Sequence, residues 1–233
     1  MIRLLALDSF GTLFDVERGL SSILGEAGVE DVSGFASDWF KMVKRLTQEV
    51  NASGQFQPFG ELLEAALEEM AQVRGVSLTE PQRARVIAGW RKLPIFEDVK
   101  GSLQTWRDSG AAAWIITNGD LDTVQALLEA NNIAGLIQGI FSAAAVETYK
   151  PARAVYSGAS SAAGVLPAQM VMATALPLDV EGAKAAGLQA AWIRRNPSEA
   201  PPKAADWTVD SLRELISLLQ PLLPRPDPGQ HVV

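Results

Sequence analysis

Hydrophobic and polar positions along this chain follow two regimes. From Val16 to about Trp90 the apolar residues recur at helical spacing. Leu62, Leu63, Ala66, Leu67 and Met70 share one face, with Glu61, Glu64, Glu68 and Glu69 between them. Trp39, Val43 and Leu46 mark another amphipathic helix, while Asn51-Ala52-Ser53-Gly54 and Gly75-Val76-Ser77 read as loops. On either side of this stretch, short unbroken apolar runs alternate with helical ones. Leu4 to Leu7, Ala111 to Ile116, Gly139 to Ser142, Met170 to Ala173 and Leu188 to Ile193 read as strands; 122–131, 151–163, 180–186 and 209–223 read as helices. Alternation of this kind predicts a parallel sheet with right-handed crossovers. The expected fold is therefore α/β. A Rossmann-like doubly wound core spans 1–14 and 94–220, a helical cap is inserted at 15–93, and the Pro-rich tail 221–233 is expected to fray.

Composition narrows the chemistry. The 233 residues are 48% hydrophobic and 20% charged, enough for a sizeable packed core. A net charge of −7 argues against a nucleic-acid partner, which requires a basic face. There is no cysteine, so disulfides and thiol chemistry are excluded and a cytoplasmic location is expected. No basic start leads into a long apolar run, so neither a signal peptide nor a membrane helix is expected. The single histidine, His231, lies in the tail, which removes Ser-His-Asp catalysis and most zinc catalysis. Gly11, Gly119 and Gly182 occur singly, so neither a dinucleotide fingerprint nor a Walker loop is present and no nucleotide cofactor is expected.

Four groups of polar residues follow four predicted strands: Asp8 with Thr12, Thr117 with Asn118, Lys150, and Asp179. Singly, each has an ordinary reading. Asp8 can cap a turn, Thr117-Asn118-Gly119 can be one, Lys150-Pro151 can precede a helix, and Asp179 can complement a helix dipole. The carboxyl ends of neighbouring strands converge in a doubly wound sheet, so jointly these residues point to one cleft, with Asp8 as its nucleophile or as a metal ligand.

In this order the residues resemble the haloacid dehalogenase superfamily over nearly the whole chain. The match runs through Asp8-Ser9-Phe10-Gly11-Thr12, Ile116-Thr117-Asn118-Gly119, Tyr149-Lys150-Pro151 with Tyr156, and, in part, Asp179-Val180-Glu181-Gly182. Superfamily phosphatases carry a second Asp where Phe10 stands, and use it to protonate the leaving group. An aromatic residue there is similar to the (S)-2-haloacid dehalogenases, as are Leu93-Pro94-Ile95-Phe96 and Asp206-Trp207-Thr208-Val209. The resemblance implies metal-free displacement of halide by Asp8 through an aspartyl ester, giving a 2-hydroxy acid. It further implies that Lys150 keeps Asp8 ionised, that Asp179 pairs Lys150 or orients water, and that Thr12 positions the nucleophile. Ser9, Phe10, Thr117, Asn118, Phe40, Tyr156 and Leu176 are then expected against a small carboxylate substrate. A homodimer is compatible with the resemblance.

Two positions depart from the dehalogenase pattern. Phe40 stands where an arginine would follow the cap tryptophan, and Leu176 where an asparagine would precede Asp179. Lys41, Lys44 and Arg45 read either as a substitute cation or as a solvated stripe. Phe10, Phe40, Phe59 and Leu178 read either as walls of a more apolar pocket or as core. Two rivals stay open: a Mg²⁺-dependent phosphatase of the same fold, and a ligand-binding relative without turnover.

Overall fold

A computed structural model describes residues 1–224. Its centre is strand β1 (Leu4–Leu7), four apolar residues buried on both faces, as a parallel strand between neighbours requires. Four helices follow: α1 (Val16–Glu26), α2 (Val32–Ser53), α3 (Phe59–Val73) and α4 (Glu80–Gly89). After them come α5 (Val99–Asp108), β2 (Ala112–Thr117), α6 (Leu121–Ala130), β3 (Gly139–Ser142) and α7 (Arg153–Ala162). The chain then runs through β4 (Met170–Thr174), α8 (Pro177–Ala185), β5 (Gln189–Ile193), β6 (Trp207–Val209) and α9 (Leu212–Leu219).

The sheet is parallel with order β3-β2-β1-β4-β5-β6. Leu7 lies in register between Ile115 and Ala173, so β1, β2 and β4 end together and their carboxyl-terminal loops open on the same side. The strand order reverses beside β1, and a crevice forms at such a switch point. The sheet core and the helical segment share one continuous apolar interior, from Leu5 and Ile115 to Trp39 and Leu63.

Several local expectations are corrected. Asn51, Ala52 and Ser53 are the last turn of α2, not a loop; the helix ends at Gly54, whose φ of 69° is the left-handed conformation that closes helices. Helix α8 starts at Pro177 rather than Val180, because proline fits the first turn, where its missing N–H has no partner to lose. Helix α7 starts at Arg153, two residues after Pro151. The segment 209–223 is not one helix: Trp207–Val209 adds a short edge strand, and α9 begins at Leu212 behind a Ser211 cap. Val99–Asp108 is a helix that the pattern did not single out. Of the tail, Gln220–Leu222 forms one 3₁₀ turn; 225–233, with His231, lie outside the described residues. Among the described residues no helix is long and apolar enough to cross a membrane.

Candidate active site

Asp8 follows β1 directly, and its backbone N–H still bonds to Ala173 O of β4 at 3.0 Å. The chain then reverses through Gly11, whose φ of 81° is costly for any residue with a Cβ. That reversal brings Thr12 back beneath the carboxylate. The Thr12 hydroxyl donates to Asp8 Oδ2 at 2.7 Å and accepts the Ala175 N–H at 2.8 Å. Both of its bonds are thus committed, which fixes the rotamer of Asp8. Arg195 secures the turn from behind. Its guanidinium donates twice to Thr12 O, at 3.1 and 3.0 Å, pairs with Asp98 at 2.8 Å and lies 4.2 Å from the centre of the Phe96 ring.

Lys150 occupies the space between two carboxylates. Its Nζ donates to Asp8 Oδ1 at 2.5 Å and to Asp179 Oδ2 at 2.7 Å, with all three side chains at most 5% exposed. Burial alone would discharge the Lys150 ammonium, but Asp179 and Asp8 hold it above the usual lysine range. Burial pushes the Asp179 carboxyl up, more than Lys150 pulls it down, and the charge on Asp8 adds to the rise. Asp179 sits in the first turn of α8 and also accepts from Thr174 Oγ1 at 3.4 Å and Tyr156 OH at 3.3 Å. Burial and the nearby Asp179 and Asp8 charges push the Tyr156 phenol up, so it stays a donor.

Lys150 is anchored from two elements. Asn118, after β2, accepts its backbone N–H at 2.8 Å. From α2, Asn51 accepts the Tyr149 N–H and the Thr148 hydroxyl, and donates to Tyr149 O, each at 2.8 Å. A further tie to the helical segment is the Tyr149 hydroxyl on Gln57 O at 2.6 Å.

A narrow cavity of about 30 Å³ opens on Asp8 and Lys150; its other walls are Phe10, Phe40, Val43, Lys44, Thr47, Phe59, Asn118 and Leu176. That space holds about two waters. Phe10 belongs to an aromatic cluster: stacked on Phe59 at 5.5 Å and edge-on to Trp90 at 5.1 Å. The Phe10 ring also leans on Gly119, where a Cβ would come within 2.6 Å of it. Beyond Phe40, Lys44 and Leu176 lies an outer cavity of about 410 Å³, reaching Gly11, Glu17, Arg195 and Glu199.

The residues expected at the site therefore separate into three groups. Asp8, Phe10, Phe40, Asn118, Lys150 and Leu176 meet at the inner cavity, together with Phe59. Thr12, Asp179 and Tyr156 stand behind it as supports for Asp8 and Lys150. Ser9 and Thr117 do not line the cavity. They are fully buried and bond to each other at 2.7 Å, and the Thr117 hydroxyl accepts the Gly119 N–H at 2.9 Å. Leu178 is 48% exposed on α8 and is no pocket wall, because the helix start at Pro177 turns it outward. Residues that the sequence did not reveal include Asn51, Thr47, Arg195 and Asp98. Polar side chains acting through tertiary bonds leave no periodic signal. Among the described residues no group of three His, Cys, Asp or Glu side chains is arranged to hold a metal ion.

A nucleophile-like aspartate after the first strand, tied to a lysine and a second aspartate at the switch point of a parallel sheet, defines a hydrolase-type α/β site. The haloacid dehalogenase-like hydrolase family matches residues 2–187, and the chain belongs to that family. It is 26% identical over 224 residues to the (S)-2-haloacid dehalogenase of Pseudomonas sp. (strain YL), covering 94% of this chain and 95% of that protein. Identity is also 26%, over 198 residues, with haloacetate dehalogenase H-2 of Moraxella sp. (strain B), covering 83% and 86%. The fold matches that of the L-2-haloacid dehalogenase from Xanthobacter autotrophicus with chloropropionic acid covalently bound. The TM-score there is 0.88 at 21% identity, over 96% of this chain and 100% of that one.

Proposed function

We propose that this protein is a 2-haloacid dehalogenase with Asp8 as nucleophile. The observation that carries the reading is Phe10. Where a phosphatase would place a proton-donating carboxylate, the chain packs a ring against Phe59 and Trp90. A halide leaves without protonation, whereas an alkoxide leaving group needs an acid. The names of the relatives at 26% identity agree with this choice.

In this reading an Asp8 oxygen attacks C2 of the haloacid from the side opposite the halogen. The carbon–oxygen bond forms as the halide departs with the bonding pair, leaving an ester on Asp8. Water then adds to the ester carbonyl carbon of Asp8 and loses a proton; the alkoxide is expelled, takes up a proton as the 2-hydroxy acid, and Asp8 is restored. Lys150 stabilises the negative charge on the carbonyl oxygen during that second step. Thr12 and Tyr156 hold Asp8 and Asp179 in place, and the segment 15–93 acts as a cap over the strand ends. Asn118 faces the substrate.

The test is a single turnover of excess enzyme with 2-bromopropionate in ¹⁸O-labelled water, with EDTA present. Halide release with the label first found in the peptide containing Asp8, both lost in Asp8→Asn, supports the reading. Label found only in the product rules out the ester. A second reading, tight binding of a small carboxylate without turnover, draws on the apolar pair Phe40 and Leu176 at the mouth; it predicts binding with no halide released.

A further inference from the structure

Helix α2 carries three cations within five residues, and two are already paired. Lys41 is exposed and bonds Asp38 at 3.0 Å; Arg45 is exposed and bonds Glu69 at 2.9 Å. Lys44 faces the other way. It is half-buried, its Nζ lies 4.6 Å from the centre of the Phe40 ring, and it lines both the inner and the outer cavity. Among the described residues it makes no ion pair. A cation drawn partly out of water without a counter-charge costs free energy, and a site that keeps one is equipped to receive an anion. Burial pulls the Lys44 ammonium below the usual lysine range, with Lys41 adding to the fall and Glu199, Asp8 and Asp179 opposing it.

Charge balance gives the position a purpose. The inner cluster has two carboxylates and one ammonium. The Lys150 ammonium is committed to both carboxylates, so it offers no free positive charge to an anionic substrate approaching Asp8. Lys44 supplies one positive charge on the wall that the inner and outer cavities share. Beside it the Asn118 side-chain amide, whose Oδ1 is committed to Lys150 N–H, turns toward the same cavity with its Nδ2 free of any protein acceptor among the described residues.

We propose that Lys44 is the receptor for the substrate carboxylate, binding it at the neck between the two cavities so that the site selects small carboxylic acids and aims their 2-carbon at Asp8. The assignment rests on the haloacid reading for its substrate class, but it is tested without turnover. Propionate and lactate carry the carboxylate and no halogen; their binding is measured by calorimetry to the wild type, Lys44→Met, Lys44→Arg and Arg45→Gln. Loss of a charge-assisted bond predicts binding about 10- to 100-fold weaker in Lys44→Met, with Lys44→Arg recovering most of it. Arg45→Gln removes the same charge one residue along and is expected to bind as the wild type does. Equal affinity in Lys44→Met, equal loss in Arg45→Gln, or no carboxylate binding by the wild type overturns the assignment.

Kinetics separate it from the activity. Lys44→Met should raise KM for 2-bromopropionate about 10- to 100-fold, whereas Arg45→Gln should leave it as in the wild type. If no haloacid releases halide but Lys44→Met still weakens propionate binding, the dehalogenase reading falls and the receptor stands. If halide release continues in Lys44→Met with unaltered KM, the receptor falls and the dehalogenase stands.

Discussion

Asn51 and Tyr149 bond each other twice, in the way two strands do: the side-chain amide of one accepts and donates to the peptide N–H and C=O of the other, both at 2.8 Å. Because Tyr149 directly precedes Lys150, this pairing fixes the lysine-bearing loop to the last turn of α2. Asn51→Ala leaves three protein groups without partners. A loss of about 1–3 kcal/mol is expected, which for a chain of this size lowers Tm by roughly 2–10 °C. Differential scanning calorimetry checks it; an unchanged Tm would mean water replaces the amide at no cost.

Phe10→Asp restores the phosphatase pattern in sequence but not in structure. The new carboxylate would sit against Phe59 and Trp90, in the place of a ring that packs on both. Loss of the ring alone costs about 3–5 kcal/mol, and a buried charge adds to that. Urea denaturation should show the loss, and p-nitrophenyl phosphate with Mg²⁺ should remain unhydrolysed.

Lys150→Met leaves Asp8 and Asp179 facing each other without the ammonium. Removing one partner of a buried ion pair costs about 3–5 kcal/mol. The deficit should shrink as pH falls and the Asp179 carboxyl, raised by burial, takes up a proton. Unfolding curves at pH 7 and pH 4.5 make the comparison, and halide release should vanish at both.

Asp179 carries a pH dependence of definite sign. Its carboxyl is raised in the folded state, chiefly by burial. The folded protein therefore holds this proton at pH values where the unfolded chain has released it, and stability from this group is full below about pH 4. It is lost as pH rises through the folded value. Asp179→Asn has no such proton. The stability of the wild type relative to Asp179→Asn should thus fall between pH 4 and neutrality, as measured by urea unfolding at three pH values. A flat difference would place the shift elsewhere.

Lys44 has the opposite slope. With its ammonium depressed by burial, the folded state is penalised while the group is charged, and relieved as pH rises through the depressed value toward the unfolded one near 10.5. Lys44→Met should therefore raise Tm near pH 7, by about 2–4 °C for a gain on the order of 1 kcal/mol. The gain should fade above pH 10.

What the sequence revealed, and what it hid, follows from the range of the interactions. Asp8, Lys150 and Asp179 are legible because each lies in the segment that follows an apolar strand, and the parallel order of those strands obliges their ends to converge. Thr117 was legible as a position but not as a role: strand β2 runs one residue further than its apolar run, so the Thr117 hydroxyl turns inward to Ser9. Asn51 read as a loop residue because Asn, Ser and Gly favour turns locally, and the bonds that hold it come from a loop 98 residues away. Trp207–Val209 was missed because three residues of edge strand carry too short a pattern to register. Lys41, Lys44 and Arg45 differ only in which way α2 points each of them, and that direction is set by Trp39 and Val43 entering the core.

Phe40, Lys44 and Leu176 are a wall common to two spaces, one holding Asp8 and the other open to solvent. Any change at these three positions therefore alters the shape of the reaction chamber and the width of its doorway together. Selection for a new substrate cannot tune fit and access separately here. Variants drawn from this wall will trade one for the other, and independent control of traffic would have to come from residues that line the outer cavity alone, such as the exposed Glu199.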